Sequence, residues 1–329
     1  MCENVVSYYA GLDASVLGGA ALKNALHALV SPHTRVSYAD AWDALATLDA
    51  DPSDATKIIG IYSDHHHDAV AARGVSTGWN REHSWPKSYG VDYSGPDFSD
   101  LHALYAADWN VNSARGNLYF DDCPLSAGCS QPAHAEAAPS TAKDSARFQP
   151  PADRRGDLAR AMFYMATRYD GAESFTTDLE LADVPNAGAS TMGKLSTLLA
   201  WHAADPVSAG EAARNARICT DFQQNRNPFV DHPEWAECIF APGGACANAP
   251  PYPPAAPPQP PKPPPPPSPP ALSCLTLTGI IDGPLSGGRP KAAELYAHCD
   301  VPDARRERDT EWFDRGRQLF LRRLRSDPV

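Results

Sequence analysis

Residues 79–88 read Trp79-Asn80-Arg81-Glu82-His83-Ser84-Trp85-Pro86-Lys87-Ser88. Two pieces answer them downstream, Asp100-Leu101-His102 and Val111-Asn112-Ser113-Ala114-Arg115-Gly116-Asn117. Together they offer a carboxylate, an imidazole, a carboxamide and a guanidinium to one site. Such a set can hold a hard divalent cation, take a proton from water and neutralise a phosphate, which breaking a phosphodiester requires. His83 is the expected general base, because an unperturbed imidazole titrates at about pH 6.5 and is largely neutral under physiological conditions. Glu82 and Asn112 are oxygen donors and suit Mg²⁺, or Ca²⁺ or Mn²⁺, rather than a thiolate-seeking metal.

Neighbours on a regular strand point to opposite faces, so Glu82 and His83 can share a site only where the strand ends or bends. Pro86 and the turn-prone residues 88–96 supply that ending. Asn112 and Arg115, three apart, lie on one face of a helix entered after Asp108. Apolar residues at helical spacing predict helices over 20–29, 38–48, 158–169 and 195–202, and short strands are expected near 58–62 and just before His83. The fold class is therefore α+β, predominantly helical.

The chain has 329 residues, 43% of them hydrophobic, enough for a sizeable core. A net charge of -12 excludes a protein that holds nucleic acid by a broad positive field, so any basic surface must be local. Eight cysteines without a CxxC pair point to disulfides in an oxidising compartment rather than to a zinc ribbon. Cys123 and Cys129 bracket a loop with Pro124 and Gly128 and form the expected local bridge. Cys219 with Cys238 or Cys246, and Cys274 with Cys299, are open alternatives. Met1 leads almost directly into Val5-Val6-Ser7-Tyr8-Tyr9 with no visible leader, so a trimmed or mis-started form of a secreted protein is expected. No apolar run reaches the roughly 18 to 20 residues of a membrane helix.

Fifteen prolines fall within residues 250–270, a composition that forms a stiff polyproline II rod. The expected organisation is a body over 1–249, a proline-rich linker over 250–271 and a short C-terminal fragment over 272–329. The fragment opens with the alternating run Leu275-Thr276-Leu277-Thr278-Gly279-Ile280-Ile281, a strand signal. Its end, 303–329, carries eight arginines and six acidic residues around Trp312, Phe313, Leu319, Phe320, Leu321 and Leu324. That pattern predicts one amphipathic, arginine-rich helix after a truncated β module.

The motif Asn80-Arg81-Glu82-His83-Ser84-Trp85-Pro86-Lys87-Ser88, with Asp100-Leu101-His102 and Val111 to Asn117, resembles the endonuclease I family of ββα-metal (His-Me finger) nucleases. Blocks around Tyr38 to Trp42, Gly156 to Met165, Leu199 to Val207 and Gln224 to Trp235 extend the resemblance over about residues 5–240. It implies a secreted, sequence-non-specific endonuclease acting on DNA and often RNA and leaving 5′-phosphates. Carried over by position, His83 matches the general base, Glu82 and Asn112 the metal ligands, and Arg115 an arginine expected to contact phosphate. Ala103 departs from relatives that carry His or Asn there. The fragment from Leu277 to Tyr296 resembles the opening of a lamin-tail-like β module, and the proline-rich rod resembles linkers of extracellular plant and algal glycoproteins. A monomer is expected, with matrix association through the rod. The rival reading is a catalytically idle extracellular protein that keeps the nuclease fold as a binding module, and a third is a phosphatase of small phosphoesters.

Several polar features carry blander expectations. Asp100 and His102 are read as loop-orienting, and Arg160 as a phosphate contact or a buried ion-pair partner. The block Asn225 to Asp231 is read as a packed turn. His65-His66-His67 cannot all face one ion and is expected to be a solvated loop.

Overall fold

The structure is a computed structural model that describes residues 2, 4–12, 17, 19–91, 95–174 and 176–243. It also describes the backbone strands 275–281, 292–297, 310–315 and 318–323. The chain divides into two compact units, Met1–Pro258 and Gln259–Val329.

The first unit mixes helices with small sheets. Helix α1 (Gly19–Val30) presents Leu22, Leu26 and Val30 to the core at four-residue spacing, and α2 (Ala41–Leu48) buries Ala41, Ala44 and Leu45 in the same way. Strand β1 (Asp54–Ile59) pairs antiparallel with β2 (His66–Asp68) and with the short strand Ala50–Asp51. Strand β3 (Trp79–His83) pairs antiparallel with β4 (Leu104–Asp108), with Glu82 opposite Tyr105 and His83 opposite Leu104.

All five residues of β4 are buried because it separates two bodies of core. Leu104 and Ala106 pack with Trp79, Leu45 and Ile58, while Tyr105 and Ala107 pack with the larger cluster around Val111 and Met162. Period-two alternation thus carries an uninterrupted apolar strand through the middle of the unit. Gly60 lies against this strand: a Cβ there would stand 2.9 Å from the Asp108 backbone nitrogen.

Helix α3 (Trp109–Arg115) begins at once, capped by Asp108, whose Oδ1 accepts from the backbone N–H of Asn110 and Val111. Helix α4 (Arg155–Arg168) runs through the core with nearly every residue buried, and it packs on α1 and on α5 (Leu195–Ala204). Its two buried arginines are each ion-paired: Arg160 with Glu211 and Asp157, Arg168 with Glu173. No helix among the described residues is long and apolar enough to cross a membrane.

Two expectations change here. Cys123 does pair with Cys129, but Cys219 pairs with Cys2 rather than with Cys238 or Cys246, fastening residue 2 to the π-helical turn Ile218–Gln223. Sequence spacing carries no information about a bridge of that span. The Cys274–Cys299 alternative lies outside the described residues. The histidine triplet is not a solvated loop: His66 and His67 belong to β2, where alternation buries His67 against Asp108 (Nε2 to Oδ2, 2.9 Å).

In the second unit, β5 (Leu275–Ile281), β6 (Ala292–Ala297), β7 (Thr310–Arg315) and β8 (Gln318–Arg323) form an antiparallel sheet in the order β5-β6-β8-β7. Strands therefore stand where the arginine-rich helix was expected. The register pairs Arg315 with Gln318 across a Gly-Arg step, and glycine at the first position is the signal of a two-residue hairpin.

Candidate active site

Glu82, His83, Asn112 and Arg115 line one pocket of about 190 Å³, together with Tyr38, Arg81, Pro86, Lys87, Gly116 and Asn117. The strand pair and the helix bring them together. His83 is the last residue of β3, and it and Glu82 both line the pocket although they are neighbours on that strand.

The imidazole of His83 is held on two sides. Its ring stacks on Phe98 (centroids 4.7 Å apart) and leans on Tyr38 (5.6 Å), and its Nε2 lies 2.9 Å from the Phe98 carbonyl oxygen. A carbonyl only accepts, so Nε2 carries the hydrogen and Nδ1 is left as the proton acceptor. Burial is the largest influence on this imidazole and disfavours its charged form, lowering the pKa to about 4 against the pull of the Phe98 carbonyl. Ala103 takes no part: it is buried, and its carbonyl accepts from the backbone N–H and hydroxyl of Ser84. The group that orients His83 is thus a main-chain carbonyl, which no side-chain pattern announces.

Glu82 is 2% exposed. One oxygen, Oε1, accepts from the Tyr62 hydroxyl and from Arg115 Nη1, both at 2.7 Å. Burial raises its pKa, and Arg115 and the Tyr62 hydrogen bond oppose the rise. Asn112 donates from Nδ2 to Asn80 Oδ1 at 2.7 Å, which fixes the amide and turns Oδ1 into its available donor atom. The set is a carboxylate oxygen and an amide oxygen beside open space, and it fits a hard cation with retained waters.

Arg115 stands 1% exposed. Besides Glu82, it donates to the carbonyls of His83 (2.8 Å) and Ser84 (2.7 Å). Its Nε is buried without a partner. The guanidinium therefore clamps the end of β3 and holds the carboxylate, occupying both terminal nitrogens with protein groups. Tyr62 and Phe98 went unnoticed in the sequence, and Asn80 was read only as part of the motif, since each acts only as support.

The remaining polar candidates are internal. Asp100 accepts from Tyr164, Tyr169, Gln223 and the His102 N–H, and His102 Nε2 meets the Asn225 carbonyl at 3.2 Å. Arg160 is fully buried, with Glu211 at 2.6 and 2.7 Å. The Asn225 to Asp231 block is a packed turn closed by the bidentate Arg226–Asp231 pair.

A fold of small sheets and helices with a histidine, a carboxylate and an amide around one polar pocket belongs with phosphodiester-cleaving enzymes. Residues 18–234 match the Endonuclease I family, and the chain belongs to that family. It is similar to the extracellular ribonuclease of Bacillus amyloliquefaciens, 45% identical over 232 residues, covering 69% of this chain and 76% of the relative. It is also similar to the extracellular ribonuclease of Bacillus subtilis (strain 168), 42% identical over 238 residues and covering 71% and 78%. The protein is a nuclease that hydrolyses phosphodiester bonds and takes nucleic acid as substrate.

Proposed function

We propose that this chain is a metal-dependent endonuclease that cuts RNA and DNA without sequence preference and leaves 5′-phosphate ends. The observation carrying the mechanism is the His83 hydrogen bond to the Phe98 carbonyl, which commits Nε2 and leaves Nδ1 as the acceptor of a residue that lines the same pocket as Glu82 and Asn112. His83 Nδ1 takes the proton of the attacking water. Glu82 and Asn112 would hold one divalent cation, Mg²⁺ for preference, with Ca²⁺ or Mn²⁺ able to replace it. When bound, it would offset charge on the phosphorane and on the departing 3′-oxygen. Tyr62 and Arg115 keep the carboxylate in place, and Asn80 keeps the amide turned.

The order of strands β3 and β4 and helix α3, two antiparallel strands followed by a helix, supports the ββα-metal reading. The names of the two bacillary relatives favour RNA as a substrate, and their extracellular description together with the disulfides supports secretion. The proline-rich segment would suit attachment to an extracellular matrix, and a monomer suffices because one chain supplies the whole pocket.

The test is cleavage of RNA and of plasmid DNA with Mg²⁺, with Ca²⁺ or Mn²⁺, and with EDTA, for wild type and His83→Ala. The substitution is expected to cost about 10²- to 10⁴-fold in rate while leaving the melting temperature near that of wild type. Wild-type rates in the variant would refute the role of His83, and undiminished cleavage in EDTA would refute the metal. An idle binding module would show no metal-dependent loss of substrate at all.

A further inference from the structure

Among the described residues, one arginine at the pocket lacks the carboxylate partner that five others have. Arg115, Arg160, Arg168, Arg214 and Arg226 each meet a carboxylate within 3.1 Å. Arg81 meets none among the described residues. Its guanidinium lies between two aromatic rings, 3.4 Å from the Tyr38 centroid and 4.2 Å from that of Trp42. Nη1 donates to the Tyr38 carbonyl, Nε is buried without a partner, and Nη2 makes no hydrogen bond among the described residues.

Arg81 stands two residues before His83 on β3, so the two side chains leave the strand on the same face, and both line the pocket. A guanidinium stays charged at any working pH. Cation–π contact holds it in place and fixes its plane without a carboxylate, and among the described residues Nη1 alone is taken, by the Tyr38 carbonyl. In a chain of net charge -12, a positive group beside the catalytic histidine that meets no carboxylate among the described residues leaves its countercharge to a ligand. The anion that a phosphodiesterase pocket receives is a phosphate, and a planar fork of N–H donors matches two phosphate oxygens.

We propose that Arg81 is the pocket's phosphate-binding arginine, held open for the substrate by Tyr38 and Trp42, while Arg115 serves as an internal clamp. This rests on the phosphodiesterase reading of the pocket and adds to it the group that grips the chain being cut.

The experiment measures binding without cleavage. In the His83→Ala background with EDTA, the anisotropy of a short fluorescein-labelled single-stranded oligonucleotide gives Kd across KCl concentrations of about 50 to 200 mM. Arg81→Gln is expected to raise Kd about tenfold. It should also flatten the slope of log Kd against log[KCl] by about 0.7, one phosphate contact on a single strand. Arg81→Lys keeps the charge but not the fork, so the slope should stay while affinity falls. A residue that only glued α2 to β3 would leave the slope untouched, and circular dichroism melting checks that each variant is folded.

Parental Kd and slope in folded Arg81→Gln overturn the proposal. Should that variant not fold, parental affinity in Arg81→Lys overturns it instead. Cleavage by the otherwise wild-type protein is scored in parallel. If it cuts and the Arg81 variants bind normally, only this assignment falls; if it does not cut, the phosphodiesterase reading falls and takes the assignment with it.

Discussion

Replacing Arg115 with methionine separates a clamp from a substrate contact. Arg115 and Glu82 are 1% and 2% exposed and meet at 2.7 Å, so the substitution strands a carboxylate that is almost wholly buried. It also removes the donors to the carbonyls of His83 and Ser84. Breaking a buried pair from one side costs about 3–5 kcal/mol, because the abandoned charge keeps its full desolvation penalty. For a unit of this size each kcal/mol moves the melting temperature by about 2–4 °C, so a fall of roughly 6–20 °C is expected. Glu82→Gln in the same chain should recover part of that loss, since the stranded charge is then gone, with a coupling of about 1–3 kcal/mol across the double-mutant cycle. Thermal and urea unfolding, followed by tryptophan fluorescence and far-ultraviolet circular dichroism, measure both quantities. A melting temperature within a degree or two of wild type, with cleavage alone lost, would refute the reasoning and return Arg115 to the substrate.

Two further outcomes follow from the disulfides and from a buried imidazole. Cys2 and Cys219 are 217 residues apart and Cys123 and Cys129 only 6, so loop-closure entropy assigns about 5 and about 2 kcal/mol to the two bridges. Cys2→Ser should lower the guanidinium midpoint more than Cys123→Ser, and equal losses would refute the ranking. Burial lowers the pKa of His102 to about 4 although Asp100 pulls it upward, against about 6.5 in the unfolded chain. Protonation thus favours unfolding, and the stability this group contributes is whole above about pH 6.5, declines as pH falls and is gone near pH 4. The loss amounts to about 3 kcal/mol. His102→Gln should show a correspondingly shallower decline over that window by urea titration, and parallel curves would refute the assignment.

Much of the site was legible in the chain because its chemistry depends on side-chain type and on local spacing. Asn112 and Arg115 three apart on a helix after Asp108 follow from the helical period, and Pro86 with the turn-prone residues after it marks the strand end that holds Glu82 and His83. The helices α1, α4 and α5 were legible for the same reason. The arginine-rich end was not. Its apolar residues suit a helical stripe as well as two strands, and the pairing of β7 with β8 decides between them.

The sequence by itself determined which groups could do chemistry here, and that they would share a strand end and a helix. The tertiary structure decided what each group is free to do. Folding surrounds Arg115 with a carboxylate and two carbonyls, sets a backbone carbonyl against His83 Nε2 so that Nδ1 is the acceptor, and leaves Arg81 between two rings with no carboxylate among the described residues. Three arginine and histidine side chains of ordinary type thus acquire different tasks. The reason is that partners distant in sequence, not the residues themselves, settle which donors and acceptors remain open once water has been excluded.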